Sequence, residues 1–175
     1  MLSVNQPAPP FSLGAIEKRN KIRVSLSQLK GKWAVLFFYP KDFTFICPTE
    51  VIGFEKAAAA FRNEGAVLLG ASADSLETHA AWAEELGGIS YLLLSDPDRA
   101  LAKSYGVLDA ASNLPLRATF VIDPAGTVAY SVMSHMNVGR SVEETLRVLK
   151  ALKTQRLCPA DWRPGEETGD PEFKY

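Results

Sequence analysis

The chain has 175 residues, 47% of them hydrophobic and 22% charged, with a formal net charge of −1. That composition suits one globular domain with a sizeable core, and the near-neutral balance argues against a nucleic-acid grip, which needs a basic face. No apolar run reaches the ~20 residues of a membrane span, and the start Met1-Leu2-Ser3-Val4-Asn5-Gln6-Pro7 lacks the basic and apolar stretches of a signal peptide, so a reducing, cytoplasmic setting is expected.

Up to about Lys32 the chain reads as irregular segments and a hairpin. Pro7, Pro9 and Pro10 keep it extended, and Ile22 to Leu26 alternates as a strand does. Ala34 to Tyr39 is a continuous apolar run and reads as a buried central strand, ended by Pro40. A helix is expected from Pro48 to Asn63, with Pro48 at its first position, Glu50 near its positive end, and Val51, Phe54, Ala58 and Phe61 on one face. Gly65 supplies the stop.

Ala66 to Ser72 reads as a second buried strand, Ser75 to Leu86 as a helix closed by Gly87-Gly88, and Leu92 to Ser95 as a short strand. Asp98 to Tyr105 reads as a short helix. Ala118 to Ile122 is a further strand, and the turn Asp123-Pro124-Ala125-Gly126 pairs it with Thr127 to Val132. Ser141 to about Lys153 is an amphipathic helix, with Val142, Leu146, Leu149 and Leu152 on its apolar side. From Asp161 onward the chain is polar and reads as an arm. This alternation implies an α/β sandwich with one core.

Two cysteines, Cys47 and Cys158, are too few for a disulfide scaffold, and in a reducing compartment such a pair points to catalysis or redox chemistry. With only His79 and His135 beside them, at no close ligand spacing, they make a poor zinc site. No cofactor is expected, and both histidines read as non-catalytic. Cys47 stands where an apolar strand turns into a helix, and a helix N-terminus favours the thiolate, the reactive form. Making a thiol of ordinary pKa near ~8.5 mostly anionic at neutral pH takes roughly 3 to 4 kcal/mol, whereas a helix terminus supplies about 0.3 to 2 kcal/mol. A nearby cation is therefore expected, and Arg117, just before the strand Ala118–Ile122, is the best candidate. Thr44, three residues before Cys47, either caps the helix or points its hydroxyl at a ligand. Pro40 is placed to shield the thiol from water.

The pattern Pro40-x-x-x-Thr44-x-x-Cys47 resembles the active-site motif of peroxiredoxins. The longer string Asp42-Phe43-Thr44-Phe45-Ile46-Cys47-Pro48-Thr49-Glu50 is similar to the typical two-cysteine group, which includes the alkyl hydroperoxide reductase C proteins. Val138 to Leu146 and Leu157-Cys158-Pro159-Ala160-Asp161-Trp162 fit the same group. The resemblance implies a thioredoxin-like α/β fold: a central mixed sheet flanked by helices, with an N-terminal hairpin extension and a C-terminal arm. It divides the chain into a domain over 1–157 and a tail over 158–175. It implies a peroxidase in which Cys47 attacks a hydroperoxide held by Thr44, Arg117 and the Cys47 backbone N–H, with Pro40 as shield. Glu50 and Arg140 match positions that brace the site arginine, although helix capping also explains Glu50 and a surface ion pair also explains Arg140. Cys158 matches the resolving cysteine, which acts on the partner subunit after the first turn around Cys47 unwinds. The resemblance further implies a homodimer, a ring of five dimers that residues around Phe43 and Phe45 help to join, and a protein disulfide reductant: thioredoxin, a flavoprotein reductase or a small dithiol partner.

Two departures qualify this. Where many relatives have Gly-Gly-Leu-Gly and a C-terminal Tyr-Phe pair, which favour overoxidation, this chain has Gly87-Gly88-Ile89-Ser90 and ends Glu172-Phe173-Lys174-Tyr175. Resistance to sulfinic acid formation is expected. Where some bacterial members have Cys-x-Cys, this chain has Cys158-Pro159-Ala160, so a third thiol is missing. The rival readings are a thiol–disulfide reductase, disfavoured by Thr at position 44 and Glu at position 50, and a holdase that uses the assembly and not the thiol.

Overall fold

The apolar runs of the sequence meet in one mixed seven-stranded sheet in the computed structural model, which describes residues 1–172. The strands are β1 (Ser12–Glu17), β2 (Asn20–Ser25), β3 (Trp33–Phe38), β4 (Ala66–Ser72), β5 (Leu92–Ser95), β6 (Arg117–Ile122) and β7 (Val128–Ser134). Their spatial order is β2-β1-β5-β4-β3-β6-β7. Strands β3, β4 and β5 run parallel; β6, β7 and the β1–β2 hairpin pair antiparallel at the two sides. The expected mixed sheet with an N-terminal hairpin is the one observed, and the hairpin extends the sheet through β1 against β5.

Strand β3 is central and buried on both faces, so its apolar run is continuous and not alternating. Ala34, Leu36 and Phe38 face one core layer, with Tyr105 and Phe120. Val35, Phe37 and Tyr39 face the other, with Val51, Phe54, Phe61 and Trp82. Phe37 stacks on Phe54 at 4.1 Å between ring centroids. Gly70 on β4 makes room for it: a Cβ there would stand 2.8 Å from the Phe37 ring.

Among the described residues four α-helices pack around the sheet: α1 (Cys47–Asn63), α2 (Leu76–Glu85), α3 (Ala100–Ser104) and α4 (Val142–Thr154). Val51, Phe54, Ala58 and Phe61 of α1 are all buried, as their spacing requires, and Gly65 follows the helix with φ +72°, where glycine carries no Cβ penalty. Helix α1 begins one residue earlier than expected, so Cys47 is its first residue and Pro48 its second. Helix α3 is shorter than the expected Asp98–Tyr105 because Arg99 is left-handed, at φ 59°, and Asp96 accepts the N–H groups of Leu101 and Ala102. Ser141 caps α4 by accepting the Glu144 N–H.

Helix α4 lies along α1 in the same direction. Its start meets the start of α1, where Arg140 bonds Glu50, and its end meets the end of α1, where Lys153 donates to the Glu64 carbonyl and carboxylate. The arm folds back on α4: Trp162 is buried, its carbonyl accepts from Arg147, and Leu157 pairs with Gly169. The C-terminal residues Phe173, Lys174 and Tyr175, which enter the overoxidation reading, lie outside the described residues.

Candidate active site

The register of the sheet builds the site. Phe38, at the end of β3, pairs with Ala118 of β6, so the first residue of β6 reaches the point where β3 gives way to α1. That residue is Arg117. Its Nη1 donates to the Cys47 Sγ at 3.4 Å and to Glu50 Oε2 at 2.7 Å, and its Nε donates to the Met136 carbonyl at 2.7 Å. The expected cation beside Cys47 is therefore present. Cys47 and Arg117 are both buried, at 0% and 4% exposure.

Glu50 is one helical turn on from Cys47 and binds two arginines. Arg140 gives it three bonds: backbone N–H and Nε to Oε1, at 2.9 and 2.8 Å, and Nη2 to Oε2, at 2.9 Å. Nη1 of Arg140 ties the loop to the sheet through the carbonyls of Phe38 and Ala118, and the guanidinium lies 5.4 Å from the Phe37 ring centroid. Burial pushes the Glu50 carboxyl up, but the bonds and charge of Arg140, joined by the charge of Arg117, outweigh it and hold the carboxyl below its usual range. Both side chains are 2% exposed, so Arg140 is not in a surface ion pair; Glu50 stands in the first turn of α1, where its charge also suits the helix dipole. Two guanidinium cations face one carboxylate, so one positive charge is left facing the sulfur.

Thr44 is placed differently from one of its two expected readings. The N-cap of α1 is Ile46, without a side-chain cap, and the Thr44 hydroxyl donates instead to the Lys41 carbonyl at 3.1 Å. The turn that brings it there carries Phe43 at φ 54°. Pro40 is buried two residues past the end of β3. Asp42, which the sequence singled out only as part of the motif, proves to be a buried anchor. It accepts from the Tyr39 hydroxyl at 2.9 Å, faces His79 Nδ1 at 2.7 Å, and gives its N–H to Asp74 Oδ2 at 2.9 Å. His79, set aside as non-catalytic, is the fully buried member of that pair and also faces the Leu94 carbonyl.

Cys158 does not join the site within the chain. Its thiol lies against Thr154 Oγ1 and the Ala151 carbonyl, at the end of α4. Cys47 is at the other end of the α1–α4 pair, and α4 alone, at 13 residues, is about 20 Å long. A disulfide needs Cα atoms within roughly 7 Å. Among the described residues, no group of His, Cys, Asp and Glu side chains forms a metal site, and no helix is long and apolar enough to cross a membrane.

A buried sulfur at a helix start, with a guanidinium on it that a buried carboxylate holds still, is equipped for nucleophilic attack on a bond whose leaving atom gains negative charge. Known proteins carry the same arrangement of chain. The AhpC/TSA family profile matches residues 4–131. Peroxiredoxin 2 of Drosophila melanogaster is 42% identical, over 96% of this chain and 92% of its own. Among solved structures, the reduced 2-Cys peroxiredoxin of Plasmodium vivax superposes with a TM-score of 0.90 at 38% identity, covering 94% of this chain and 91% of its own. AhpC of Enterococcus faecalis superposes at 0.86 and 36%, over 91% of this chain and 100% of its own. The fold is thioredoxin-like, and the chain belongs to the AhpC/TSA family as a peroxiredoxin, a thiol-dependent peroxidase.

Proposed function

We propose that the chain reduces hydrogen peroxide and organic hydroperoxides through Cys47, with Cys158 of a second copy as the resolving thiol. The Cys47 thiolate attacks the terminal peroxide oxygen. An S–O bond forms, the O–O bond breaks, the sulfur is oxidised to sulfenic acid, and the peroxide leaves as water or an alcohol once its alkoxide takes a proton. Arg117 and the Cys47 N–H stabilise the negative charge that grows on the departing oxygen, Thr44 and Pro40 hold and shield the peroxide, and Glu50 and Arg140 keep the Arg117 fork in place. The 3.4 Å contact between Arg117 and the Cys47 sulfur carries this reading.

In the second step the Cys158 thiol of the partner attacks the sulfenic sulfur, forming a disulfide and releasing water. The placement of Cys158 at the far end of α4 supports resolution between copies rather than within one. A protein dithiol then returns both thiols: thioredoxin, a flavoprotein reductase or a small dithiol partner. The role is antioxidant defence and redox homeostasis in a reducing compartment, the cytoplasm. Exposed Phe45 and Phe43, at 93% and 52%, support an assembly beyond the dimer, read as a ring of five dimers. Replacing Cys47 by Ser tests the reading: peroxide consumption is expected to vanish, and a variant that consumes peroxide at the wild-type rate would defeat it.

A further inference from the structure

Three features of the loop between β3 and α1 belong together. Phe43 is left-handed at φ 54°, a conformation unfavourable for a bulky residue that persists only where the surroundings over-determine it. The Thr44 hydroxyl is exposed, so water competes for it, yet it donates to the Lys41 carbonyl. That carbonyl belongs to the peptide group whose N–H, on Asp42, is held by the buried Asp74 carboxylate at 2.9 Å. One peptide unit thus joins a buried anion to a solvent-facing hydroxyl.

Asp74 is itself fixed. It follows β4, the neighbour of β3, and its Oδ2 accepts the Ser72 hydroxyl at 2.6 Å while its N–H returns to Ser72 Oγ at 3.2 Å. Its carbonyl accepts the Ser95 hydroxyl at 2.7 Å. The carboxylate of Asp42 is occupied by Tyr39 and His79, so it does not stand in for Asp74 on its own N–H. An anion on a peptide N–H also polarises the carbonyl of the same peptide and makes it a better acceptor.

We propose that Asp74 is a positioning residue for the peroxide reaction. By fixing the Lys41–Asp42 peptide it commits the Thr44 proton to the Lys41 carbonyl and leaves the Thr44 oxygen free to accept the hydroperoxide O–H. A hydroxyl has one proton to give and two lone pairs, so settling where the proton goes decides which role Thr44 plays toward the substrate. This rests on the reading of Cys47 as the attacking sulfur.

The test compares how fast Cys47 reacts with hydrogen peroxide and with iodoacetamide, which needs the thiolate but not Thr44. Asp74→Ala is expected to slow the peroxide reaction about tenfold or more and to leave alkylation within about twofold. Asp74→Asn, which keeps an acceptor oxygen in place, stays within about threefold of wild type in both. With Thr44→Val already present, Asp74→Ala changes the peroxide rate by less than about twofold, because its effect runs through Thr44. Asp74→Ser serves with the same expectations where the alanine variant does not fold. The proposal is overturned by a wild-type peroxide rate in Asp74→Ala, by parallel loss of alkylation, or by effects of Asp74→Ala and Thr44→Val that simply multiply. Wild type is measured first: a wild-type Cys47 indifferent to peroxide overturns the peroxidase reading, and is distinguished in that way from failure of Asp74 alone.

Discussion

Arg117 donates from Nη1 to both the sulfur and the carboxylate that steadies it and from Nε to the Met136 carbonyl, so its planar fork matters as well as its charge. Arg117→Lys keeps the charge and loses the fork. The rate constant of Cys47 with hydrogen peroxide, followed by stopped-flow fluorescence, is predicted to fall by about 10²- to 10³-fold, the effect of losing one donor to a developing anion; a fall below about threefold would contradict the role. Glu50 sets a pH dependence. Its carboxyl is held below the usual range in the folded chain, so its contribution to stability is full above the ordinary carboxylate value and is lost as pH falls through that value to the lower folded one. Urea unfolding at a series of acid pH values will show that component in the wild type and lack it in Glu50→Gln. The variant will also be less stable at neutral pH, because two buried guanidinium groups lose their counter-charge. Cys47 and Arg117 were legible in the sequence because one opens the helix that follows β3 and the other opens β6, and the pairing of β3 with β6 brings the two together. The choice between bracing and bland readings of Glu50 and Arg140 was not, since spacing does not tell which loop folds over the first turn of α1. The places of Asp74 and of His79, which was read as non-catalytic, were not legible for the same reason: their partners lie on the loop after β3, on β4 and on β5.

In the proposed two-cysteine cycle helix α1 is ordered for attack and loosened for disulfide formation, and its contacts divide in the same way. From Val51 onward it is held firmly. The Tyr91 hydroxyl donates to the Val51 carbonyl at 3.0 Å, Glu55 accepts both the N–H and the hydroxyl of Ser90, and Phe54 stacks on Phe37. Residues 47–50 are tied chiefly through the ion pairs of Glu50. Among the described residues, the loop 87–90 makes its side-chain bonds to Glu55 and Arg62 and makes none to the first turn. Only that turn has to open, a local event well below the free energy of global unfolding. Unwinding is thus predicted to outpace a second oxidation. Mass spectrometry after turnover in excess peroxide should find Cys47 mainly in disulfide, and ready accumulation of its sulfinic acid at low peroxide would contradict this. The element pattern itself was largely readable, because aliphatic runs and amphipathic spacing fix type. The ends were less so: the start of α1 moved by one residue and α3 shortened, both settled by backbone geometry that composition does not carry.

At the scale of the molecule, the parallel packing of α1 and α4 decides how the two cysteines can meet. Because α4 starts beside Glu50 and ends beside Glu64, the arm that follows it leaves Cys158 at the end of the pair remote from Cys47. Bringing them together in one chain would require α4 to leave α1 and give up the burial of Leu149; resolution between two chains, as proposed, asks only that the first turn of α1 and the arm loosen. The direct measurement mixes the two single variants, Cys47→Ser and Cys158→Ser, by co-expression, adds one equivalent of hydrogen peroxide and runs a non-reducing gel. The account predicts a covalent dimer in the mixture, one active and one resolving cysteine supplied by different chains, and none that depends on Cys158 in either variant alone. A mixture that stays monomeric, beside a wild type that forms its disulfide within single chains, would contradict it.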